Sequence, residues 1–221
     1  MTARRGSKIT FESLTDALMD ECIHGSVHLK LCHEIGKMDP VVGNLAPVFF
    51  NFSYFSHLNA ALMCANRLFD DSGTSVKTLF SWADSNAGKF AFGSAEDVKR
   101  KIGEARAQLA KLHKVRKCLK IRRNNFLAHN SEEGIFDPEG MFQKAGVTYE
   151  ELQQVFDESA TAINNLDELW SATTTTPRLL NEDDFKHVCE LMAKQHCAEI
   201  KAHESEFGIF GLIPERPRGC T

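Results

Sequence analysis

Apolar residues along this chain recur at three- and four-residue spacing, and strand-like alternation is scarce, so the pattern predicts helices. A first helix is expected over Phe11 to Lys37, with Leu14, Leu18, Ile23, Val27, Leu31 and Ile35 among its apolar positions. Gly36 and then Asp39-Pro40 punctuate its end. A second helix begins between Asn44 and Pro47 and runs to about Asp70. It is apolar on almost every side, which predicts a central place in a bundle. Asp71-Ser72-Gly73 breaks it, and a shorter helix over about Val76 to Ala87 follows. Ser94-Ala95-Glu96-Asp97 reads as a capping box that opens a fourth helix running towards His129. Glu132 to Gly146 holds Gly134, Pro138, Gly140 and Gly146 and reads as a loop. Thr148-Tyr149-Glu150-Glu151 is a second capping box, opening a fifth helix that ends near Trp170. A linker over Ser171 to Pro177, a sixth helix over about Asp183 to Ala202 and an extended tail from Gly208 complete the chain.

Helices with short connections argue for an all-α helical bundle. We expect a bundle over residues 1–172, with its fourth helix at 95–129, and a C-terminal part over 173–221. That part would be a linker, a helix and a tail packing on the bundle. The 221 residues suffice for a sizeable core. The most apolar stretch, Leu45 to Phe69, is interrupted by Asn51, Ser53, His57, Asn59, Asn66 and Arg67, which disfavours a membrane span. The N-terminus from Met1 to Lys8 lacks the apolar core of a secretory signal. The 7 cysteines show no CxxC and no disulfide framework. A cytoplasmic location is therefore expected.

Charge is unevenly spread. The net charge of −4 hides eleven Lys or Arg against the single acid Glu104 between Lys99 and Arg123. Such a basic stripe binds polyanions even on an acidic protein. Its residues Lys99, Arg100, Arg106, Lys114, Arg116, Lys117 and Lys120 are candidate polyanion contacts, against the plainer reading of a solvated helix face. The region after Ser131 is acidic, for which ordinary solubility is the simplest reason. Val98, Ala105, Leu112, Leu119 and Phe126 recur every seven residues on the fourth helix, with Ile102, Leu109, Arg116 and Arg123 beside them. This face is apolar up to Leu119 and cationic beyond it. Arg122, Arg123 and His129 would then converge at the edge of a buried seam. Unpaired guanidinium groups there would be costly, so the pattern asks for an acidic partner, a cleft or an anionic ligand. A plainer reading stands beside it: arginines complement a helix C-terminus, His129 caps carbonyls, and Asn124, Asn125 and Asn130 mark a helix end.

The run Arg123-Asn124-Asn125-Phe126-Leu127-Ala128-His129 resembles the signature of the HEPN superfamily, and its Arg-Asn-x-x-x-Ala-His form resembles the AbiU-type (abortive infection) branch. Phe49-Phe50-Asn51 and Arg67-Leu68-Phe69-Asp70 resemble that branch's apolar helix ending in aspartate. The likeness spans about Leu14 to Trp170, and only the Arg-to-His motif within it is specific. It implies metal-independent RNA cleavage in phage defence or a toxin role, without a cofactor. Catalysis would rest on Arg123, Asn124 and His129, with Arg122, Asn125 and Asp70 in support. His129 suits proton transfer at a ribose 2′-hydroxyl or a leaving oxygen, and Arg123 suits a scissile phosphate. Asp70 would pair with Arg123 or Arg122, or else merely end its helix.

The likeness further implies a homodimer whose two fourth helices build a composite cleft, and leaves room for an antitoxin or regulator. The alternative function is a non-catalytic module binding RNA, nucleotide or a partner protein. A pure dimerisation scaffold is a third reading, with no task for the arginines. No phosphate-cradling glycine loop, nucleophile elbow or HExxH is present. His24, His28, Cys32 and His33 cluster on the first helix, and His187, Cys189, His196 and Cys197 on the sixth. Donors spread over three helical turns do not reach one ion, so no metal site is expected.

Overall fold

The structure is a computed structural model describing residues 9–71, 73–124, 143–176, 183–207 and 216–218, with backbone alone over 203–207. Among the described residues the protein is all-α, in keeping with a helical HEPN-like bundle carrying further C-terminal helical structure. The elements are α1 (Phe11–Lys37), α2 (Pro40–Leu45), α3 (Pro47–Leu68), α4 (Val76–Ser85), a 3₁₀ turn (Ala87–Lys89), α5 (Ala95–Ala110), α6 (His113–Arg122), α7 (Tyr149–Ser171) and α8 (Asp184–Phe207). They form two compact units that do not follow chain order. One comprises Met1–Ser26 with Asn59–Arg178, the other Val27–Leu58 with Leu179–Thr221.

The larger unit is organised by α5 and α7. Val98, Ile102, Ala105 and Leu109 of α5 are buried, as are Leu152, Val155, Phe156, Ile163 and Leu166 of α7. Both helices begin with reciprocal capping boxes. Ser94 and Asp97 satisfy each other's backbone N–H groups, and so do Thr148 and Glu151. Phe11, fully buried, packs among Trp82, Phe90 and Trp170 at ring-centroid distances of 5.5, 5.2 and 5.0 Å. The Trp170 indole N–H donates to Glu12 at 2.8 Å. Gly25 lies where α1 presses on α7: a Cβ there would fall 2.2 Å from the buried Phe156 ring. Glycine alone permits that approach.

Where one fourth helix was expected, the structure has two. Lys111 and Leu112 donate to the carbonyls three residues back, Gln108 and Leu109, which tightens the backbone into a turn. Leu112 stays buried through the break, so the apolar row continues while the axis is interrupted. The expected extension to His129 lies outside the described residues beyond Asn124, as does most of the expected 132–146 loop.

The second unit holds residues 27–37 of α1, all of α2, residues 47–58 of α3 and α8. Asp39 does more than end α1. Its carboxylate accepts from Val41 N at 2.9 Å, capping α2, and from Arg218 N at 2.7 Å, anchoring the tail. Phe50 is buried edge-on to Phe185 of α8, with centroids 6.4 Å apart. The central burial expected along all of α3 is not found. Its second half buries Ala61, Leu62, Cys64, Ala65 and Leu68, whereas Val48, Phe49, Phe52 and Phe55 of its first half are exposed. Among the described residues five cysteines are free thiols and Cys197 is disulfide-bonded, a link that spacing did not signal.

Candidate active site

The end of α3 and the length of α6 enclose a cleft of about 450 Å³ in the larger unit. Arg116, Lys120 and Arg123 are spaced four and three residues apart, so α6 presents them on one side, with Lys117 adjacent. All four line the cleft, as do His113, Phe69, Asp70 and Asp71. The lining is thus cationic along α6 and acidic at the end of α3.

Arg123 sits where the backbone leaves α6 in a wider π turn that also takes in Asn124. Its Nη1 donates to Asp70 Oδ2 at 3.2 Å, and its Nε donates to Asn124 Oδ1 at 3.3 Å. Arg123 and Asp70 side chains each keep 32% of their surface exposed, so the pair is open to a ligand as well as to water. One position earlier the helix turns about 100°, and Arg122 is instead buried at 9% exposure. The two arginines therefore occupy different environments, and Arg123 is the one lining the cleft.

The remaining candidates divide. The Arg116 guanidinium lies over the Phe69 ring, 4.6 Å from its centroid, which fixes both the cation and the cleft wall. Lys117 and Lys120 are exposed along the cleft rim. Arg106 lies over Phe80 at 5.9 Å and faces a neighbouring cavity of about 210 Å³, whose wall it shares with Arg116. Lys99 and Lys114 are exposed and outside the cleft lining. Arg100 forms ion pairs with Glu104 at 2.8 Å and Asp97 at 3.3 Å along α5. These exposed pairs hold it to its own helix with little energy. His129 and Asn125 lie outside the described residues. The sequence pattern marks neither His113 nor Asp71 as a site residue, and Asp71 reads there only as part of the break after the second helix. His113 lies ten residues before Arg123, and only the helical geometry of α6 aligns it with the same groove.

The histidine and cysteine clusters resolve into local contacts. His28 and His57 stack with their Nδ1 atoms 2.9 Å apart, and Cys32 Sγ donates to the Tyr54 carbonyl at 3.3 Å. Among the described residues no three His, Cys, Asp or Glu side chains group as metal donors. Burial pushes the Cys32 thiol up to about 11 and the Cys22 and Cys64 thiols up to about 12, so all three are poor nucleophiles.

An all-helical fold with an Arg-Asn step closing a basic helix beside an aspartate agrees with an HEPN-type domain. The chain belongs to the AbiU2 family of HEPN proteins, whose model (HEPN_AbiU2) matches residues 8–188. It is thereby an abortive-infection-related HEPN domain. No curated protein and no solved structure matches it. No helix among the described residues is long and apolar enough to cross a membrane.

Proposed function

We propose that this protein is a metal-independent endoribonuclease acting in phage defence or as a toxin. The observation that carries the reading is the Arg123 guanidinium, aimed by Asp70 and Asn124 in a cleft lined by three further cations. Such a fork matches a phosphodiester, and its charge is fixed before any reaction begins.

In the proposed reaction the ribose 2′-oxygen attacks the adjacent phosphorus. The O2′–P bond forms, the P–O5′ bond breaks, and the products are a 2′,3′-cyclic phosphate and a 5′-hydroxyl. His129, six residues beyond Arg123, takes the 2′-hydroxyl proton or delivers one to the leaving oxygen. Arg123 offsets the charge growing on the phosphoryl oxygens, and Asn124 orients its guanidinium. DNA lacks the attacking hydroxyl and stays intact. Two copies of the chain would share a composite cleft, and an antitoxin or regulator would act by covering it.

Incubating the protein with RNA in excess chelator tests this reading. New cyclic-phosphate ends are expected, and His129→Ala should slow their appearance by about 10²–10⁴-fold. Intact RNA, or equal cleavage by the variant, would falsify it. Salt-sensitive RNA binding without new ends would instead favour a non-catalytic module, a reading the Arg116, Lys117 and Lys120 rim supports independently of the chemistry.

A further inference from the structure

A second cavity, of about 210 Å³, adjoins the candidate cleft within the larger unit, and Phe69 and Arg116 line both. Buried Val76, Phe80 and Leu109 make part of its wall apolar. Its cations are Lys77, Arg106 and Arg116, and among the described residues no carboxylate lines it. The cleft differs, since Asp70 and Asp71 line it. Arg106 lies over Phe80 at 5.9 Å and Arg116 over Phe69 at 4.6 Å. Both arginines are exposed, and among the described residues neither pairs with a carboxylate. Arg67, Arg100 and Arg123 each do. A ring beneath a guanidinium fixes one face of its plane and leaves the N–H edge and the other face to a ligand. A phosphate oxygen suits that edge, and an unpaired base suits that face.

We propose that this cavity seats the nucleotide flanking the linkage at Arg123, with its base in the cavity and its phosphate on Arg106 and Arg116. Three observations choose a nucleotide of the same strand. The first is continuity. Phe69 and Asp70 are consecutive residues, and they hold Arg116 and Arg123 respectively. Seven residues, about 10 Å of helix, separate the two arginines, which suits successive linkages of one strand. The second is size. At about 210 Å³ the cavity is smaller than the roughly 300–1,000 Å³ of pockets that enclose a whole small molecule, so it admits one base-sized group. A paired base would bring its partner with it and does not fit. The third is charge, because three cations without an acid favour a polyanion over a neutral or cationic guest. That the strand is RNA rests on the proposed function. The seating of a base does not need the chemistry.

Fluorescence anisotropy on the full chain carrying His129→Ala, in which cutting is slowed, tests it. The probes are a short labelled oligouridylate and a ribose-phosphate oligomer of the same length without bases. The oligouridylate should bind about tenfold more tightly or better, through stacking. Ala110 is exposed and lines the cavity, so Ala110→Phe added to this chain fills the space without changing charge. That variant should bring the two affinities within about twofold of each other. Arg106→Gln should weaken both probes and flatten the dependence of affinity on log salt by about 0.7. Circular dichroism spectra of both variants should match the parent. Equal affinity of the parent for the two probes overturns the proposal. So does an Ala110→Phe chain that still tells them apart, or an Arg106→Gln chain with an unchanged slope. Uridine monophosphate binding as tightly as the oligomer, and losing that affinity with Arg106→Gln, would make this a free-nucleotide site and overturn the strand assignment. Cyclic-phosphate ends are read separately on the chain with His129 intact. Their absence removes the ribonuclease reading alone, and cleavage without base discrimination removes the subsite alone.

Discussion

The Arg123–Asp70 contact, on which the proposed function turns, involves little folding energy. Both side chains are about one-third exposed, so their ion pair contributes about 0–1 kcal/mol to folding. Its role is direction: a guanidinium otherwise free to turn is held towards the cleft by a carboxylate 53 residues earlier in the chain. Asp70→Asn should therefore leave the melting temperature almost unchanged while lowering the RNA cleavage rate by about tenfold or more. A melting-temperature loss matching the activity loss would make Asp70 structural instead. Arg123→Lys should also fail to restore cleavage, since a point charge replaces a planar fork. Arg116 is held differently, by the Phe69 ring beneath it, so neighbouring cations of one helix are positioned by unlike contacts.

At the scale of elements, α5 and α6 carry the cations, and a capping box fixes the start of α5. Asp97 closes the capping box at the start of α5, and the Ser94 hydroxyl and backbone N–H hold its carboxyl below the ordinary carboxylate range. A carboxylate with a lowered folded-state value stabilises the fold at pH above its unfolded value, about 3.9, and loses that contribution as pH falls through the folded value. Wild type should accordingly melt higher than Asp97→Asn at pH 7, and the gap should close as pH falls below about 4. Thermal melts across that range check both the sign and the window. Along α6, Lys117 and Lys120 flank the cleft. Each charge removed from a phosphate contact should flatten the dependence of RNA affinity on log salt by about 0.7 for a single strand. Binding titrations of Lys117→Gln and Lys120→Gln at several salt concentrations read this directly. A slope unchanged in both variants would detach the rim from RNA binding.

Across the whole molecule, much of the local order was legible in the sequence. Helix α1 has the bounds its periodicity and the Asp39-Pro40 step predict, and both capping boxes form as their residue spacing requires. The AbiU-type resemblance read from Arg123 to His129 agrees with the family match over residues 8–188. These features depend on residues within a few positions of one another, so the linear pattern suffices to specify them. Other outcomes needed the tertiary structure, because they depend on which distant segments meet. The break at Lys111 and Leu112 carries no Gly or Pro, so no local signal marks it. The close approach of Gly25 to Phe156 joins positions on different helices. Hydrophobicity alone marked all of α3 for burial, yet only its neighbours decided that Leu62 and Leu68 are enclosed while Phe52 and Phe55 face water. Periodicity specifies which residues share a helix face. What that face meets is decided by packing partners far away in the chain, and at Asp70 and Arg123 that long-range meeting builds the candidate site.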